Sequence, residues 1–268
     1  MGLVNEKTLR VPGADLFYRT QGAGPLLLLI QGGAGDADGT QGIAGHLVEH
    51  YTVLSYDRRG LSRSTLDDPA EVPGIGTHAD DVHRLLASVT SEPVAVFGTS
   101  FGAYLGLELV ARHSEQVKVL VAHEPPATQF LPDEKETLAR LAAISSDEEA
   151  AAMLGLDFDE HEPGVEFPPP TPRQEANEAF FRARDARAVA AHRFDEALLR
   201  AARAQVLPAA GATSGTAFAC RCAEELARLL GNETVYFPGS HVGLITHPAA
   251  FAAKLREVLC RRGQLHSR

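Results

Sequence analysis

The segment Pro93-Val94-Ala95-Val96-Phe97-Gly98-Thr99-Ser100-Phe101-Gly102 carries a buried-type β run directly into a helix-like stretch, Ala103 to His113. Few backbones tolerate that joint. Glycines two residues either side of Ser100 are what a sharp strand-to-helix turn demands, because larger side chains would collide with the adjoining strand and helix. Such a turn lifts the serine hydroxyl above the sheet, and the first N–H groups of the helix face any developing negative charge. The joint predicts a largely parallel sheet covered by helices, with a nucleophile at one strand end.

The surrounding sequence fits that frame. Thr8–Val11 and Leu16–Thr20 are β-prone runs around the turn-forming Pro12-Gly13-Ala14-Asp15. Leu26–Ile30 is apolar at every position, as expected of a strand buried on both faces, and a glycine-rich loop, Gln31 to Gly39, follows it. A helix is expected near Gly42–Glu49, a strand at Thr52–Tyr56, a loop at Asp57–Ser64, a helix at His78–Ser88 and, after the elbow, a strand at Val117–Ala122. From Ala127 to Arg203 the chain turns rich in Ala, Glu and Arg around the cluster Phe167–Pro172, without a β run. This predicts a helical lid inserted over the C-terminal edge of the sheet, where open α/β folds bind ligands. The alternation resumes with Ala204–Ala210, a helix near Ala217–Leu230, a strand at Thr234–Phe237 and a final helix at Pro248–Cys260. The expected architecture is α/β: a mostly parallel, twisted eight-stranded sheet with helices on both faces, a core of residues 1–126 and 204–268, and a lid of residues 127–203.

Bulk properties narrow the partners. The 268 residues, 44% of them hydrophobic, suffice for a sizeable core, and a net charge of −10 with no Lys/Arg stripe argues against nucleic acid or an anionic membrane. The N-terminus, Met1 to Lys7, lacks a basic segment followed by an apolar stretch, so a cytoplasmic setting is expected. Cys220, Cys222 and Cys260 lack metal or redox spacing and read as reduced, buried thiols. A homodimer stays open.

A serine needs a base, and the base needs an acid to orient it. The elbow predicts the order serine, acid, histidine, with the histidine in a loop after the last strand. His241 fits, in Pro238-Gly239-Ser240-His241-Val242-Gly243, whereas His247 precedes Pro248 at a helix start and His113 ends the elbow helix. An acid just after the penultimate strand is missing: Ala210-Gly211-Ala212-Thr213-Ser214-Gly215-Thr216 holds no carboxylate. Glu124, in Val121-Ala122-His123-Glu124-Pro125-Pro126, ends the strand after the elbow and is the candidate acid; its bland alternative is a solvated loop carboxylate or a partner for Arg173. The oxyanion donors are expected to be the N–H groups of Phe101 and of Gly33, in Gln31-Gly32-Gly33-Ala34-Gly35. The Asp57–Ser64 loop reads as a turn and salt-bridged support.

These residues resemble the α/β-hydrolase fold superfamily through Gln31-Gly32-Gly33, Tyr56-Asp57-Arg58-Arg59-Gly60, Gly98–Gly102 and Pro238–Gly243. A closer similarity is to the fungal zearalenone lactone hydrolases, which take their acid from a segment corresponding to His123-Glu124-Pro125-Pro126. That resemblance implies a triad of Ser100, Glu124 and His241, with Gly33 and Phe101 as oxyanion donors. Those lactonases set a lid tryptophan against the aromatic lactone. This chain has no Trp, which leaves Phe180, Phe181 and Phe194 either as an alternative lining or as the lid's own core.

The implied reaction is acyl transfer to water on a hydrophobic ester or lactone, possible substrates including resorcylic macrolactones, with neither metal nor organic cofactor required. A serine at the elbow argues against epoxide hydrolase and haloalkane dehalogenase chemistry, which use a carboxylate there. A carbon–carbon bond hydrolase, a thioesterase or a perhydrolase would share the triad. A non-catalytic small-molecule receptor is the alternative from outside enzymology.

Overall fold

The computed structural model describes residues 4–265, so Met1 to Leu3, on which part of the leader argument rests, lie outside the described residues. Its strands are β1 (Asn5–Val11), β2 (Ala14–Gly22), β3 (Leu26–Ile30), β4 (Thr52–Tyr56), β5 (Thr65–Leu66), β6 (Val94–Thr99), β7 (Val117–His123), β8 (Val206–Gly211) and β9 (Val235–Phe237). They form one sheet in the order β1-β2-β4-β3-β6-β7-β8-β9, with β5 paired to the start of β2. The two-residue β5 is the departure from eight strands. It lies in the polar stretch after the Asp57–Ser64 loop, where no β pattern marks it.

The β1–β2 hairpin turns at Gly13, whose φ of 82° is open to glycine, and from β4 through β3, β6, β7, β8 and β9 the strands run parallel. Alternation along β3 divides the core. Leu28 and Ile30 face one side with Val96, Leu120 and the helices Ile75–Val89 and Phe101–Arg112. Leu27 and Leu29 face the other with Phe97, Val121 and the last helix, Pro248–Leu265, through Phe251 and Leu255.

The helix expected near Gly42–Glu49 shrinks to Gln41–Ala44, followed by turns, because Gly42 and Gly45 weaken it. Cys220 and Cys222 are buried, but Cys260 is exposed on the outer side of the last helix, whose inward positions are 251, 252, 255, 258 and 259. All three are free thiols. Between β7 and β8 the described residues contain helices and turns and no strand. This segment packs on the strand ends: Phe194 lies 4.4 Å from Tyr104, Phe181 lies 5.5 Å from Phe101, and Asn177 reaches Ala34 and Ser62. Among the described residues no helix is long and apolar enough to cross a membrane.

Candidate active site

Ser100 sits between β6 and its helix with φ 51° and ψ −122°, a strained conformation for a residue with a Cβ. Its flanking glycines are obligatory. A Cβ on Gly98 would stand 2.5 Å from Gly102 O, and one on Gly102 would collide with the carbonyls of Ile30 and Gln31 at the end of β3. The turn thus brings the elbow against the glycine-rich loop, where a Cβ on Gly32 would lie 3.0 Å from Ser100 Cβ.

Glu124 occupies the matching place one strand over. Thr99 of β6 pairs with His123 of β7, so Ser100 and Glu124 are the first residues beyond neighbouring strand ends. Ser100 N–H donates to His123 O at 2.8 Å and Glu124 N–H to Ala209 O at 2.9 Å. Glu124 also has positive φ, 49°, which turns its side chain across the ends of β7 and β8. There it is fully buried; Oε1 accepts the Gly211 N–H at 2.8 Å and Oε2 accepts His241 Nδ1–H at 2.5 Å.

Burial alone would push the Glu124 carboxyl up. That push is the largest single influence, but the hydrogen bond from His241 and the electrostatic pull of His123 and His241 together outweigh it, and the carboxyl falls to about 2. The buried Ser214 hydroxyl lies close without a hydrogen bond of proper geometry. Thr213 is exposed, so the loop that lacks a carboxylate contributes a backbone donor, Gly211, and no side-chain acid. Arg173 pairs with Asp36 and Asp38 rather than with Glu124.

His241 lies in a loop folded by two glycines: Gly239 has φ 79°, and a Cβ on Gly243 would strike Pro238 O. The imidazole is 6% exposed and its Nδ1 is committed to Glu124, which fixes the tautomer that leaves Nε2 able to accept a proton. Ser100 Oγ makes no hydrogen bond among the described residues, His241 included; such contacts commonly close only once substrate is bound. His123 behind Glu124 is fully buried among Phe97, Phe237 and Phe251, and burial pushes it down to about 4, so it stays neutral.

Gly33 has φ 40° with open space where a side chain would be, so glycine is required there by conformation and not by crowding. Phe101 is buried at the first position of the elbow helix. The Asp57–Ser64 loop is the expected support in part: Arg59 binds Asp81 through two contacts of 2.7 Å, and Arg63 binds Asp57 at 2.7 Å. Arg58 instead points inward to the glycine-rich loop, a role the sequence reading missed; two adjacent arginines after a strand must project to different sides, which was the available signal. Phe194 packs against Tyr104 and Phe130 as core, while Phe180 and Phe181 are half-buried. Far from the strand ends, His83, His113 and Glu115 approach one another. The two rings stack 3.9 Å apart at 14°, so their in-plane lone pairs run side by side instead of converging on one ion.

The comparisons agree with this architecture. The sequence model of the alpha/beta hydrolase fold matches residues 25–149. The chain is 37% identical to the uncharacterized hydrolase YraK of Bacillus subtilis (strain 168), covering 96% of each. Similar solved structures include an alpha/beta hydrolase from Sphaerobacter thermophilus (TM-score 0.69, 22% identity, covering 94% of this chain and 100% of that one). A hydrolase from Pseudomonas aeruginosa PA01 is also similar (TM-score 0.63, 26% identity, covering 95% and 98%). With strand order, elbow and near full-length similarity in agreement, the chain belongs to the α/β-hydrolase fold family.

Proposed function

We propose that this hydrolase cleaves a carboxylic ester or lactone of a hydrophobic small molecule, a resorcylic macrolactone such as zearalenone being one candidate, through an acyl-enzyme on Ser100. The observation that carries the proposal is the 2.5 Å hydrogen bond between His241 Nδ1 and the buried, ionised Glu124, one strand from Ser100. His241 Nε2 takes the Ser100 proton as Oγ attacks the carbonyl, and the N–H groups of Phe101 and Gly33 receive the oxyanion. The imidazolium, stabilised by Glu124, returns the proton to the departing alkoxide. Water deprotonated by His241 then releases the acid and restores the serine.

Residues 127–203 act as the lid over this site. A cleft of about 660 Å³ runs along the outside of the glycine-rich loop, between Gly35, Asp36 and Gly39 and the segment's Pro168, Gln174 and Glu178. Its size suits a small-molecule approach. A second cavity of about 430 Å³, at Pro25, Val94 and Lys118, lies at the opposite ends of the strands, away from where open α/β sheets bind ligands.

Ser100→Ala is expected to abolish turnover of a p-nitrophenyl ester and labelling by a fluorophosphonate probe. Unchanged hydrolysis by the variant would remove the serine mechanism, and a wild-type protein that the probe leaves unlabelled would favour a receptor. A panel of esters, thioesters and resorcylic macrolactones then assigns the substrate class.

A further inference from the structure

The glycine-rich loop is held from outside by its carbonyls. Arg58 donates from Nη2 to Gly33 O, and from Nη1 to Gln31 O at 3.1 Å and Gly35 O at 3.5 Å. Asn177 Nδ2 donates to Ala34 O at 3.2 Å, and Gly35 N–H to Gly32 O at 2.9 Å. Every carbonyl from Gln31 to Gly35 therefore has a partner. Across a trans peptide the C=O of one residue and the N–H of the next point in opposite directions, and no peptide among the described residues is cis. The Gly33 N–H is therefore aimed by the hydrogen bond from Gly35 N–H to Gly32 O, and that Gly35 N–H by Asn177 on Ala34 O. Arg58 fixes the peptides on either side through Gln31 O and Gly33 O.

Two of the holders depend on the helical segment. Asn177 belongs to its helix Pro172–Phe180, is 3% exposed, and also accepts the Ser62 N–H at 2.9 Å. Arg58 belongs to the core and is 1% exposed, with its guanidinium 4.8 Å over the ring of Phe101. Its countercharge, Asp185, comes from the π-helical turn Phe181–Asp185, a local form frequent at functional sites. Asp185 Oδ2 stands 3.6 Å from Arg58 Nη2 and Oδ1 stands 3.3 Å from His78 Nε2. Both oxygens are buried, and neither makes a hydrogen bond; Arg58 Nε and His78 Nε2 are likewise unbonded. Water admitted as the segment lifts would satisfy these unmet hydrogen bonds and so offset part of the cost of separating the buried charges at this node.

We propose that Arg58 is a positioning residue for the oxyanion loop, and that Asp185 and Asn177 make the loop's donor geometry conditional on docking of the segment above it. Lid closure and assembly of the oxyanion hole are then one event. The catalytic half of this statement rests on the serine mechanism; the mechanical half does not.

The test combines steady-state hydrolysis of p-nitrophenyl acetate with amide hydrogen exchange at residues 31–35 and 181–189, in wild type, Arg58→Lys, Asp185→Asn and Ser100→Ala. Arg58→Lys keeps the charge and loses the fork, and kcat is expected to fall about 30-fold with KM within about threefold, the scale of a weakened oxyanion donor. Asp185→Asn is expected to lower kcat about tenfold on the same basis and to speed exchange in both segments together. Wild-type kcat in Arg58→Lys overturns the positioning role. Faster exchange at 181–189 with an unchanged loop in Asp185→Asn overturns the coupling. Ser100→Ala is expected to lose turnover with wild-type exchange; if it keeps turnover, the serine mechanism fails while exchange still decides the coupling.

Discussion

Replacing Glu124 by glutamine removes a charge while preserving shape, and the structure sets the size of the effect. The carboxyl falls from an ordinary 4.5 to about 2 against the upward push of its own burial. At about 1.4 kcal/mol for each tenfold in the proton equilibrium, its neighbours hold the ionised form by about 3 kcal/mol. The dominant neighbour is His241 Nδ1–H, 2.5 Å away, and the interaction strengthens when that ring becomes imidazolium. Losing about 3 kcal/mol at that step costs roughly a hundredfold in kcat. A glutamine amide can also present its NH₂ group to Nδ1 and select the wrong tautomer, which extends the expected loss to as much as about 10⁴-fold. Glu124→Gln, Glu124→Asp and Thr213→Ala would be compared by p-nitrophenolate release at saturating ester, with thermal unfolding as a check on folding. The expected order is a loss of two to four decades in the glutamine variant, partial recovery with aspartate, and a change below about threefold for the exposed Thr213, as is usual for surface substitutions. A folded Glu124→Gln within tenfold of wild type, or an equal loss in Thr213→Ala, would refute the reasoning.

Gly102→Ala puts a methyl group into the carbonyls that end β3, and a cost of ~3 kcal/mol is expected, read by calorimetry as a Tm lower by roughly 5–10 °C. An unchanged Tm would show that the elbow is not held against β3. His123 makes folding sensitive to mild acid. Its proton affinity is depressed in the folded protein, so between pH 6.5 and about 4 the unfolded chain binds the extra proton, and stability present above 6.5 is lost as pH falls. Denaturant titrations at pH 7 and pH 5 are expected to show a loss in wild type that His123→Asn largely removes. This window lies above that of Glu124, whose stabilising contribution is present above 4.5 and lost as pH falls towards 2. A variant with the same pH dependence as wild type would assign the acid sensitivity elsewhere.

What could be read in the sequence was whatever local chemistry imposes. The elbow was legible because Gly98 and Gly102 have no steric substitutes, and the loop around His241 because Gly239 and Gly243 permit only a tight path. Glu124 was reached by elimination: the empty stretch at Thr213 excluded the usual place, and strand adjacency supplied another. The hydrogen bond from Gly211 was hidden, since a backbone donor leaves no residue type to read. Asp185 was hidden for a different reason. It lies in a charged helical stretch whose composition says only that the surface is polar, and its partners Arg58 and His78 come from two distant elements.

The placement of Glu124 follows from the same backbone device as that of Ser100. Ser100 and Glu124 each take a positive φ immediately beyond a parallel strand, so each chain leaves the sheet abruptly at its carboxyl end. At Ser100 the turn leads into a helix, and helix N–H groups lie behind the hydroxyl. At Glu124 it leads into Pro125-Pro126, which cannot continue a β ladder, and the side chain is left to cross β8 towards His241. A carboxylate at the end of β7 can therefore reach His241 past the end of β8 without the histidine moving, because Gly211 turns an N–H to meet it.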